Sequence, residues 1–465
     1  MNIANIHSAH FLGIGGIGMS ALARWFKHVG VAVSGYDKTP SPLTLALESE
    51  GMNISFEDSL ETIPAKVLEH PDQVLVIWTP AMPKDSIQLN FFQSKGYEVK
   101  KRAAVLGMIT SDLPSIAVAG THGKTTTSSM VAHLLKHGGK NIAAFLGGVT
   151  QNYNSNLILH DEEGSEATVV VEADEFDRSF LHLHPNTAVL TSADPDHLDI
   201  YGDPDHLLEG FRQFVGLLPE GGLLYIAAKA YEKLALGKGR KFEIKQYGIS
   251  AGEIQARNIQ PGPASFSFDY VGNGKTIEGL QLRMPGFHNV ENALAAISIA
   301  LDCGIGEEAV RQGLAGFKGV KRRFEMWVQE GDRVFIDDYA HHPEEIRAFL
   351  GSVKAMYPKK KLTAIFQPHL FTRTRDFASG FSESLSLADE VVLLEIYPAR
   401  ELPIEGVNAS MLLPGITSAE KSLRSKEELL GYLDEHRPEV LVTIGAGDID
   451  RLVQPIANWM KSYEN

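Results

Sequence analysis

Cysteine is almost absent from the sequence, because Cys303 is the only one among 465 residues. A single cysteine cannot form an intramolecular disulfide. Its helical spacing with Ala296, Ile299 and Ala300 predicts buried packing rather than catalysis. Long apolar runs are also missing, since no segment approaches the roughly 18 residues that a membrane span requires. The first ten residues lack the basic and apolar regions of a secretory signal. We therefore expect a cytoplasmic protein without a membrane span.

Positive charge is scarce relative to negative charge. Lys and Arg number 43, Asp and Glu number 58, and the formal net charge is −15. Most of such a surface repels a polyanion, so we expect no nucleic-acid partner. The chain is otherwise ordinary, with 44% hydrophobic and 22% charged residues. At roughly 150 residues per domain, its length corresponds to about three domains.

Short apolar runs, many of them followed by glycine, recur along the chain and alternate with helical patterns. Continuous runs of this kind are typical of parallel strands that are covered on both faces. The alternation predicts an α/β fold. The runs are residues 10–12, 31–33, 74–78, 116–119, 169–171, 188–190, 362–366, 391–394 and 441–444.

Domain boundaries are weakly marked, because no long Pro/Ser-rich linker is present. The best candidates lie near 110–114, before a strand and a glycine-rich turn, and near 316–320, after a helical pattern. We therefore predict three domains, comprising residues 1–110, 111–318 and 319–465. The stretch 221–285 has Gly/Pro turns and alternating polarity, which indicates a β-rich part of the middle domain.

A glycine-rich loop follows the first strand and opens a helix. Gly13, Gly15 and Gly18 form a G-x-G-x-x-G pattern that also contains Gly16, and Asp37 stands at the end of the next strand. Glycines allow the backbone to approach a diphosphate at a helix N-terminus, and such an acid can hold ribose hydroxyls. The pattern fits a nicotinamide dinucleotide and a UDP-sugar equally well.

A second glycine-rich loop follows the strand at 116–119. Backbone amides, a lysine and a hydroxyl at this place bind the β and γ phosphates of ATP and hold Mg²⁺. The strict Walker pattern would have glycine where Val118 stands, and we expect the helix to begin near Thr126. The loop consists of Gly120, Thr121, His122, Gly123, Lys124, Thr125 and Thr126.

Acidic segments follow two further strands. Glu172 opens one segment after the run 169–171, and His197 lies within the other, at 194–199. Acids at the carboxyl ends of neighbouring parallel strands face the ligand crevice of an open sheet. Such a cluster can also be a solvated loop face, but a phosphate loop nearby favours a Mg²⁺ site.

Two histidine-containing loops, 337–343 and 366–376, follow later strands. Both leave the carboxyl ends of predicted strands, where sites usually form. The neighbouring His341 and His342 raise the question of a zinc site. The loops contain no cysteine and no H-E-x-x-H spacing, so we do not expect zinc.

Taken in this order, the motifs resemble the Mur ligase family, the ATP-dependent amide-forming enzymes of bacterial peptidoglycan precursor synthesis. The resemblance covers essentially the whole chain. It implies an N-terminal Rossmann-like domain for the UDP-sugar, a central P-loop ATPase with a parallel sheet, and a C-terminal Rossmann-like domain for the amino acid. Within the family, the members that add L-alanine to UDP-N-acetylmuramate are the most similar in segments 10–20, 172–175, 179–181, 338–343 and 366–376.

The resemblance also implies roles for matched residues on the ATP side. Lys124 would neutralise the β and γ phosphates. Thr125, Glu172 and His197 would hold Mg²⁺, and the latter two would be part of the catalytic machinery with Lys124. The nucleotide would further contact His288, Asn289, Asn292, Arg322 and Asp338. Arg323 matches the same two-arginine element as Arg322.

On the substrate side, the resemblance places Gly15, Gly16, Gly18 and Asp37 at the UDP-sugar. It places Tyr339 and His341 by the incoming amine, and Arg373 and Arg375 by a carboxylate of the substrates. His341 is a candidate base, because its ordinary pKa near 6.5 suits neutral pH, although a hydrogen-bonded loop histidine fits equally well. One position departs from the family: Ser192 stands where an asparagine is usual.

The function expected from this resemblance is ligation of L-alanine to the lactyl carboxylate of UDP-N-acetylmuramate through an acyl phosphate, with release of ADP and phosphate. An alternative is the recycling ligase that attaches a murein tripeptide to the same sugar nucleotide. An NAD-dependent oxidoreductase would leave Lys124 and Thr125 without a purpose, and a silent UDP-sugar-binding regulator would not need intact phosphate positions. We expect a monomer or a weak homodimer.

Overall fold

The computed structural model describes residues 5–159, 167–194, 203–237, 239–263, 265–399 and 401–462. Three sheets organise these residues. No helix in the described ranges is both long and apolar enough to cross a membrane.

The first sheet is entirely parallel, with the strand order β3-β2-β1-β4-β5. The order reverses direction beside β1, so the loop after β1 opens at the topological switch point. The local sequence determines where helix α2 begins, because Ser41 and Thr44 form a capping box around Pro42. The elements are β1 (Ser8–Leu12), α1 (Ile17–His28), β2 (Ala32–Tyr36), α2 (Pro42–Ser49), β3 (Asn53–Ser55), α3 (Ala65–Glu69), β4 (Val74–Trp78), α4 (Ile87–Ser94), β5 (Glu98–Lys101), α5 (Arg102–Asp112) and short 3₁₀ helices at Leu60–Thr62 and Pro71–Gln73.

The second sheet has ten strands in the order β15-β14-β13-β12-β11-β10-β6-β9-β7-β8. Its middle strands, from β12 to β7, are parallel, and β8 runs antiparallel to β7. The elements are β6 (Ser115–Ala119), α6 (Lys124–His137), β7 (Ile142–Thr150), β8 (Ser155–Leu159), β9 (Thr168–Glu172), a 3₁₀ helix (Phe176–His182), β10 (Thr187–Leu190), α7 (Pro204–Val215), β11 (Leu223–Ala227), α8 (Ala228–Leu234), β12 (Glu243–Gly248), β13 (Ile254–Pro261), β14 (Phe266–Gly272), β15 (Lys275–Leu282), α9 (Phe287–Asp302) and α10 (Glu307–Gly316).

The third sheet has six strands in the order β16-β17-β21-β18-β19-β20, and only β16 is antiparallel to its neighbour. Strands β17 and β18 flank β21, so the loops after these three strands leave the same edge. The elements are β16 (Glu325–Glu330), β17 (Arg333–Asp338), α11 (Pro343–Met356), β18 (Leu362–Phe366), α12 (Phe371–Asp376), α13 (Ala378–Leu385), β19 (Glu390–Leu393), a 3₁₀ helix (Ala409–Gly415), β20 (Glu420–Leu423), α14 (Leu429–His436), β21 (Val440–Ile444) and α15 (Asp450–Ser462).

The predicted α/β fold is confirmed, and each of the nine apolar runs lies in or overlaps a strand. Two details differ from expectation. The helix after the second glycine loop begins at Lys124 rather than near Thr126, because Gly123 already serves as its N-cap. Cys303 is only half-buried, and burial raises the pKa of its thiol.

The chain divides into two compact units. Unit 1 comprises Met1–Gln255, Tyr270–Thr276 and Asn292–Gly313, and unit 2 comprises Ala256–Asp269, Ile277–Glu291 and Leu314–Asn465. The predicted boundary after residue 110 falls inside helix α5, which ends at Asp112. Unit 1 contains both glycine loops, and unit 2 contains both histidine loops.

Candidate active site

The phosphate-type loop between β6 and α6 depends on two glycines. Gly120 and Gly123 have φ values of +132° and +83°, a region that side chains rarely adopt. A Cβ at Gly123 would lie 2.7 Å from Asn292 Oδ1, and one at Gly120 would collide with the hydroxyl of Thr191. The loop therefore keeps its backbone open at the N-terminus of α6, where amides and the helix dipole favour an anion.

Lys124 opens helix α6 and is held by a carboxylate that is completely buried. Its Nζ lies 2.9 Å from Glu175 Oε1 and 2.8 Å from Oε2, and Glu175 is 0% exposed. The same ammonium donates to the carbonyl oxygens of Gly120 and Thr121 at 2.7 and 3.3 Å. The lysine is thereby folded back over the glycine loop.

The electrostatics around Lys124 favour its charged form. Burial alone would lower the pKa of its ammonium, but the carboxylates of Glu175, Asp174 and Glu172 together raise it above the ordinary value. Three acids face one lysine, so the region has an excess of negative charge. A divalent cation would offset that excess.

Ser192, the residue that departs from the family, ties β10 to the phosphate-type loop. Its Oγ accepts the backbone N–H of His122 at 2.7 Å and lies 2.8 Å from Thr121 Oγ1. Thr121 Oγ1 in turn accepts the backbone N–H of Asp194 at 3.1 Å. The Ser192 hydroxyl thus holds Thr121 and His122 in place before Gly123.

The predicted metal ligands are only partly within the described residues. Thr125 is buried in the first turn of α6, and Glu172 accepts the backbone N–H of Gly147 at 3.0 Å. His197 lies outside the described residues. The described part of the chain has no ready-made group of three His, Cys, Asp or Glu side chains for a metal. Mg²⁺ usually takes one or two carboxylates together with substrate phosphates, so this oxygen-rich donor set fits it.

The first glycine loop is hydrogen-bonded to Asp37, the acid predicted to bind ribose hydroxyls. Asp37 Oδ2 accepts the backbone N–H of Gly15 at 2.7 Å. Gly16 is the N-cap of α1, and Gly18 lies in its first turn. The four predicted substrate residues are therefore brought together beside β1.

The predicted adenine-side residues lie on the first two turns of α9. Asn292, in unit 1, approaches Gly123 as described above. In unit 2, Asn289 is buried and donates to the carbonyl oxygen of Pro285 at 2.7 Å. Desolvation lowers the pKa of His288 to about 4, so its imidazole is neutral at pH 7.

Arg322 forms an internal ion pair in unit 2. Its Nε donates to Asp337 Oδ2 at 3.1 Å, and its two terminal nitrogens donate to the carbonyl oxygens of Gly445 and Gly447 at 2.6 and 3.4 Å. Burial raises the pKa of Asp337, although Arg322 and Thr443 oppose the rise. The guanidinium is therefore engaged by the protein itself.

Strand β17 ends at a buried acid, Asp338. Asp338 accepts the backbone N–H groups of Phe324 and Ala340 at 2.7 and 2.8 Å. Burial raises its pKa to about 7, although Arg323 and both amides favour the charged form. The Arg323 guanidinium lies 5.1 Å from the ring centroid of Tyr339.

His341 is held in one orientation by its own loop and by α11. Its Nδ1 lies 3.0 Å from the carbonyl oxygen of Tyr339, and Glu345 Oε2 accepts its backbone N–H at 2.9 Å. His342 instead caps α11 in a capping box with Glu345. The two neighbouring histidines thus have different roles.

Helix α12, which follows the loop after β18, carries both predicted arginines but gives them different surroundings. Leu370 adopts φ +70°, an uncommon value for this residue type, immediately before α12. Arg373 NH1 lies 3.5 Å from His369 Nδ1, whose ring centroid is 6.3 Å from that of His341. Arg375 is exposed and pairs with Asp376 at 2.7 Å. Of the two arginines, Arg373 is the one that lies beside His369.

Sequence reasoning missed Glu175 and Glu345 as partners of predicted site residues. Glu175 belongs to the acidic segment that begins at Glu172, and Glu345 stands at the capping-box position that follows His342. The acidic segment and the capping-box position can both be seen in the sequence. Neither pattern indicates which side chain the carboxylate contacts.

Family models match three consecutive parts of the chain. They are described as Mur ligase family, catalytic domain, over residues 8–113; Mur ligase middle domain, over 118–300; and Mur ligase, glutamate ligase domain, over 322–447. Among curated relatives, the UDP-N-acetylmuramate–L-alanine ligase of Cytophaga hutchinsonii is 46% identical, over 98% of this chain and 97% of that protein. The enzyme of the same name from Flavobacterium psychrophilum is 48% identical, over 97% of this chain and 98% of its own length.

Solved structures of related ligases also match this chain. The UDP-N-acetylmuramate-alanine ligase of Thermotoga maritima has a TM-score of 0.78 and 30% identity, covering 98% of this chain and 100% of that one. A murein peptide ligase of Psychrobacter arcticus has a TM-score of 0.67 and 25% identity, covering 99% of this chain and 100% of its own. On this evidence the chain belongs to the Mur ligase family.

Proposed function

We propose that this protein is an ATP-dependent ligase that joins L-alanine to the lactyl carboxylate of UDP-N-acetylmuramate in peptidoglycan precursor synthesis. The observation that carries the proposal is the 46–48% identity, over 97–98% of the chain, to curated ligases of that name. The murein peptide ligase is the weaker candidate, because its structural match has the lower TM-score and identity.

A carboxylate is a poor electrophile at neutral pH, because an attacking amine would have to expel an oxide. Transfer of the γ-phosphoryl group of ATP to a carboxylate oxygen gives an acyl phosphate with a feasible leaving group. In our proposal, Lys124 exchanges part of its contact with Glu175 for the β and γ phosphates. The backbone N–H groups at the start of α6 hold the same phosphates.

Mg²⁺, when bound, would offset the charge that develops on the transferring phosphoryl group. Thr125 and Glu172 are the described residues that we assign to it, and His197 is the third. The excess of carboxylates around Lys124 supports a cation at this place. We assign the nucleotide base to His288, Asn289 and Asn292.

Unit 2 supplies the groups proposed for the nucleotide ribose and the amino acid. Asp338 would accept hydrogen bonds from ribose hydroxyls once ionised. Because Arg322 is engaged by Asp337, we assign the cationic nucleotide contact to Arg323 instead. Tyr339 would lie by the incoming amine.

His341 is the proposed acceptor of the amine proton. The carbonyl of Tyr339 receives Nδ1–H, which leaves the Nε2 lone pair as the basic site. The free amine then attacks the acyl carbon, and the tetrahedral oxyanion collapses. The nitrogen loses its second proton to the departing phosphate, which leaves with the carboxylate oxygen it had acquired. Arg373 would hold the carboxylate of L-alanine.

Phosphate release with ATP, Mg²⁺ and UDP-N-acetylmuramate tests the proposal when the acceptor is varied. We expect turnover with L-alanine, weak turnover with glycine and L-serine, and none with the murein tripeptide. Omission of UDP-N-acetylmuramate should abolish release. Efficient use of the tripeptide would favour the recycling ligase, and release that is independent of any acceptor would contradict both assignments.

The assignment of Arg373 to the carboxylate of L-alanine can be tested against a second arginine in helix α12. Arg373→Lys keeps the charge but loses the planar fork, so the KM for L-alanine should rise about tenfold or more. Arg375→Lys, two residues away and exposed, is the control and should leave that KM unchanged. Equal effects of the two substitutions would contradict the assignment of Arg373.

A further inference from the structure

A cavity of about 280 Å³ in unit 1 adjoins the first glycine loop. This volume lies just below the roughly 300–1,000 Å³ of typical small-molecule sites, so the cavity suits part of a sugar nucleotide rather than all of it. One side is formed by Gly16 and Gly18 at the start of α1. The acids Glu172 and Asp174 line another side, and the remaining lining is mostly apolar.

Arg102, at the start of α5, is the one cation lining this cavity. A Cβ on Gly18 would lie 2.5 Å from Arg102 NH1, which puts the guanidinium against the first turn of α1. Its nearest acid is Asp174, whose Oδ2 is 3.9 Å from NH2, beyond hydrogen-bond distance. The side chain is 27% exposed and makes no hydrogen bond to the described part of the chain.

These contacts distinguish Arg102 from the other cations described above. Lys124 and Arg322 each donate hydrogen bonds to a buried carboxylate and to loop carbonyls. Arg102 instead keeps its five N–H donors available beside amides that point out of a helix N-terminus. Both groups favour an anion in the same place, and nothing else that lines the cavity is positively charged.

We infer that Arg102 binds an anionic group of the sugar nucleotide inside this cavity. The group is either the diphosphate or the lactyl carboxylate, and both present oxygens that a guanidinium can hold in pairs. The inference rests on the proposed function, because it takes UDP-N-acetylmuramate as the ligand. The resemblance assigned no role to Arg102.

Calorimetric titration of the full-length protein with three ligands tests the inference. UDP, UDP-N-acetylglucosamine and UDP-N-acetylmuramate share the diphosphate, and only the last carries the lactyl carboxylate. Arg102→Met should weaken UDP-N-acetylmuramate binding about tenfold or more, the effect of losing a charged hydrogen-bond donor. Arg102→Lys should give an intermediate loss. Lys100→Met removes the same charge two residues earlier, where Lys100 pairs with Glu98 at 2.8 Å, and should change nothing.

The three ligands separate the two sources of negative charge. Equal losses with all three support the diphosphate, whereas a loss confined to UDP-N-acetylmuramate supports the lactyl carboxylate. Unchanged binding of all three by Arg102→Met, with wild-type circular dichroism and melting temperature, would overturn the inference. Failure of the wild-type protein to bind any of them would instead contradict the proposed function.

Discussion

Two buried ion pairs, one in each unit, look alike but differ in what surrounds them. Lys124 pairs with Glu175 at 2.8 Å, and Arg322 pairs with Asp337 at 3.1 Å. Both carboxylates are 0% exposed. Both cations also donate to loop carbonyls, Lys124 to those of Gly120 and Thr121 and Arg322 to those of Gly445 and Gly447. The carbonyls around Lys124 belong to the glycine loop at the N-terminus of α6.

The two pairs differ in whether the cation can leave its carboxylate for a ligand. An ammonium is a compact charge on a flexible stem, so Lys124 can turn from Glu175 toward a phosphate without leaving its pocket. Both cations contact three acceptor groups, but the planar guanidinium of Arg322 moves as one rigid unit and would have to break all of its hydrogen bonds together. We therefore assign the first pair to phosphate binding and the second to holding the loops of unit 2.

The largest expected effect is the loss of turnover in Lys124→Met. Removing a charged contact that strengthens in the transition state costs about 10²- to 10³-fold in rate. Because the substitution also leaves Glu175 buried without its cation, we expect a lower melting temperature as well. The double variant Lys124→Met/Glu175→Gln should regain stability but no activity. Phosphate release and thermal melts measure the two effects, and an active double variant would contradict the assignment.

Arg322→Met should destabilise unit 2 rather than act on chemistry directly. Breaking a buried pair costs about 3 to 5 kcal/mol, and the lower end applies because Arg322 is 19% exposed. The matched double variant Arg322→Met/Asp337→Asn should regain both stability and turnover. Urea unfolding and steady-state kinetics report these quantities. A stable but inactive double variant would show that Arg322 contacts a ligand, and the contrast between the two pairs would fail.

The buried carboxyl group of Asp338, also in unit 2, makes the stability of the fold depend on pH. Its pKa is raised by burial from 3.8 to about 7, so its ionisation is harder in the folded state than in the unfolded state. The stability that this group contributes is therefore complete below about pH 4 and is lost as pH rises to about 7. Within that window the loss is about 1.4 kcal/mol per pH unit.

Asp338→Asn should flatten the stability profile over this window, apart from a constant penalty for one amide that loses its acceptor. Urea unfolding of both proteins at several pH values between 4.5 and 7.5 measures the difference. Parallel profiles would show that Asp338 titrates normally in the folded protein.

The smallest expected effect concerns Ser192. Ser192→Ala removes the acceptor of the His122 amide, and a neutral hydrogen bond contributes about 0.5 to 1.5 kcal/mol. The KM for ATP should rise about three- to tenfold with little change in melting temperature. Ser49→Ala, which removes a hydroxyl from the end of α2, is the control. An unchanged KM in Ser192→Ala would mean that the loop holds its shape without this contact.

Local patterns were sufficient to predict much of the fold. Apolar runs such as 74–78 became covered parallel strands, because burial on both faces selects continuous hydrophobic sequence. The antiparallel strands β8 and β16 were not predicted. Their apolar runs, 157–159 and 326–328, are short, and both strands lie at the edges of their sheets.

The site was predicted less completely, since its contacts join residues far apart in sequence. The motifs identified Lys124 and Asp338, but the partner Glu175 lies 51 residues from Lys124. The bridge from Ser192 to His122 spans 70 residues. Arg373 and Arg375 looked equivalent in sequence. Two residues along a helix point in different directions, and only the structure shows which one meets His369.

Isotope transfer from substrate to phosphate tests whether the reaction proceeds through an acyl phosphate. UDP-N-acetylmuramate labelled with ¹⁸O in its lactyl carboxylate is incubated with the protein, ATP, Mg²⁺ and L-alanine, and the products are analysed by mass spectrometry. We expect UDP-N-acetylmuramoyl-L-alanine and one ¹⁸O atom in each phosphate released. Unlabelled phosphate alongside the amide would contradict the acyl-phosphate route, and absence of the amide would contradict the ligase assignment itself.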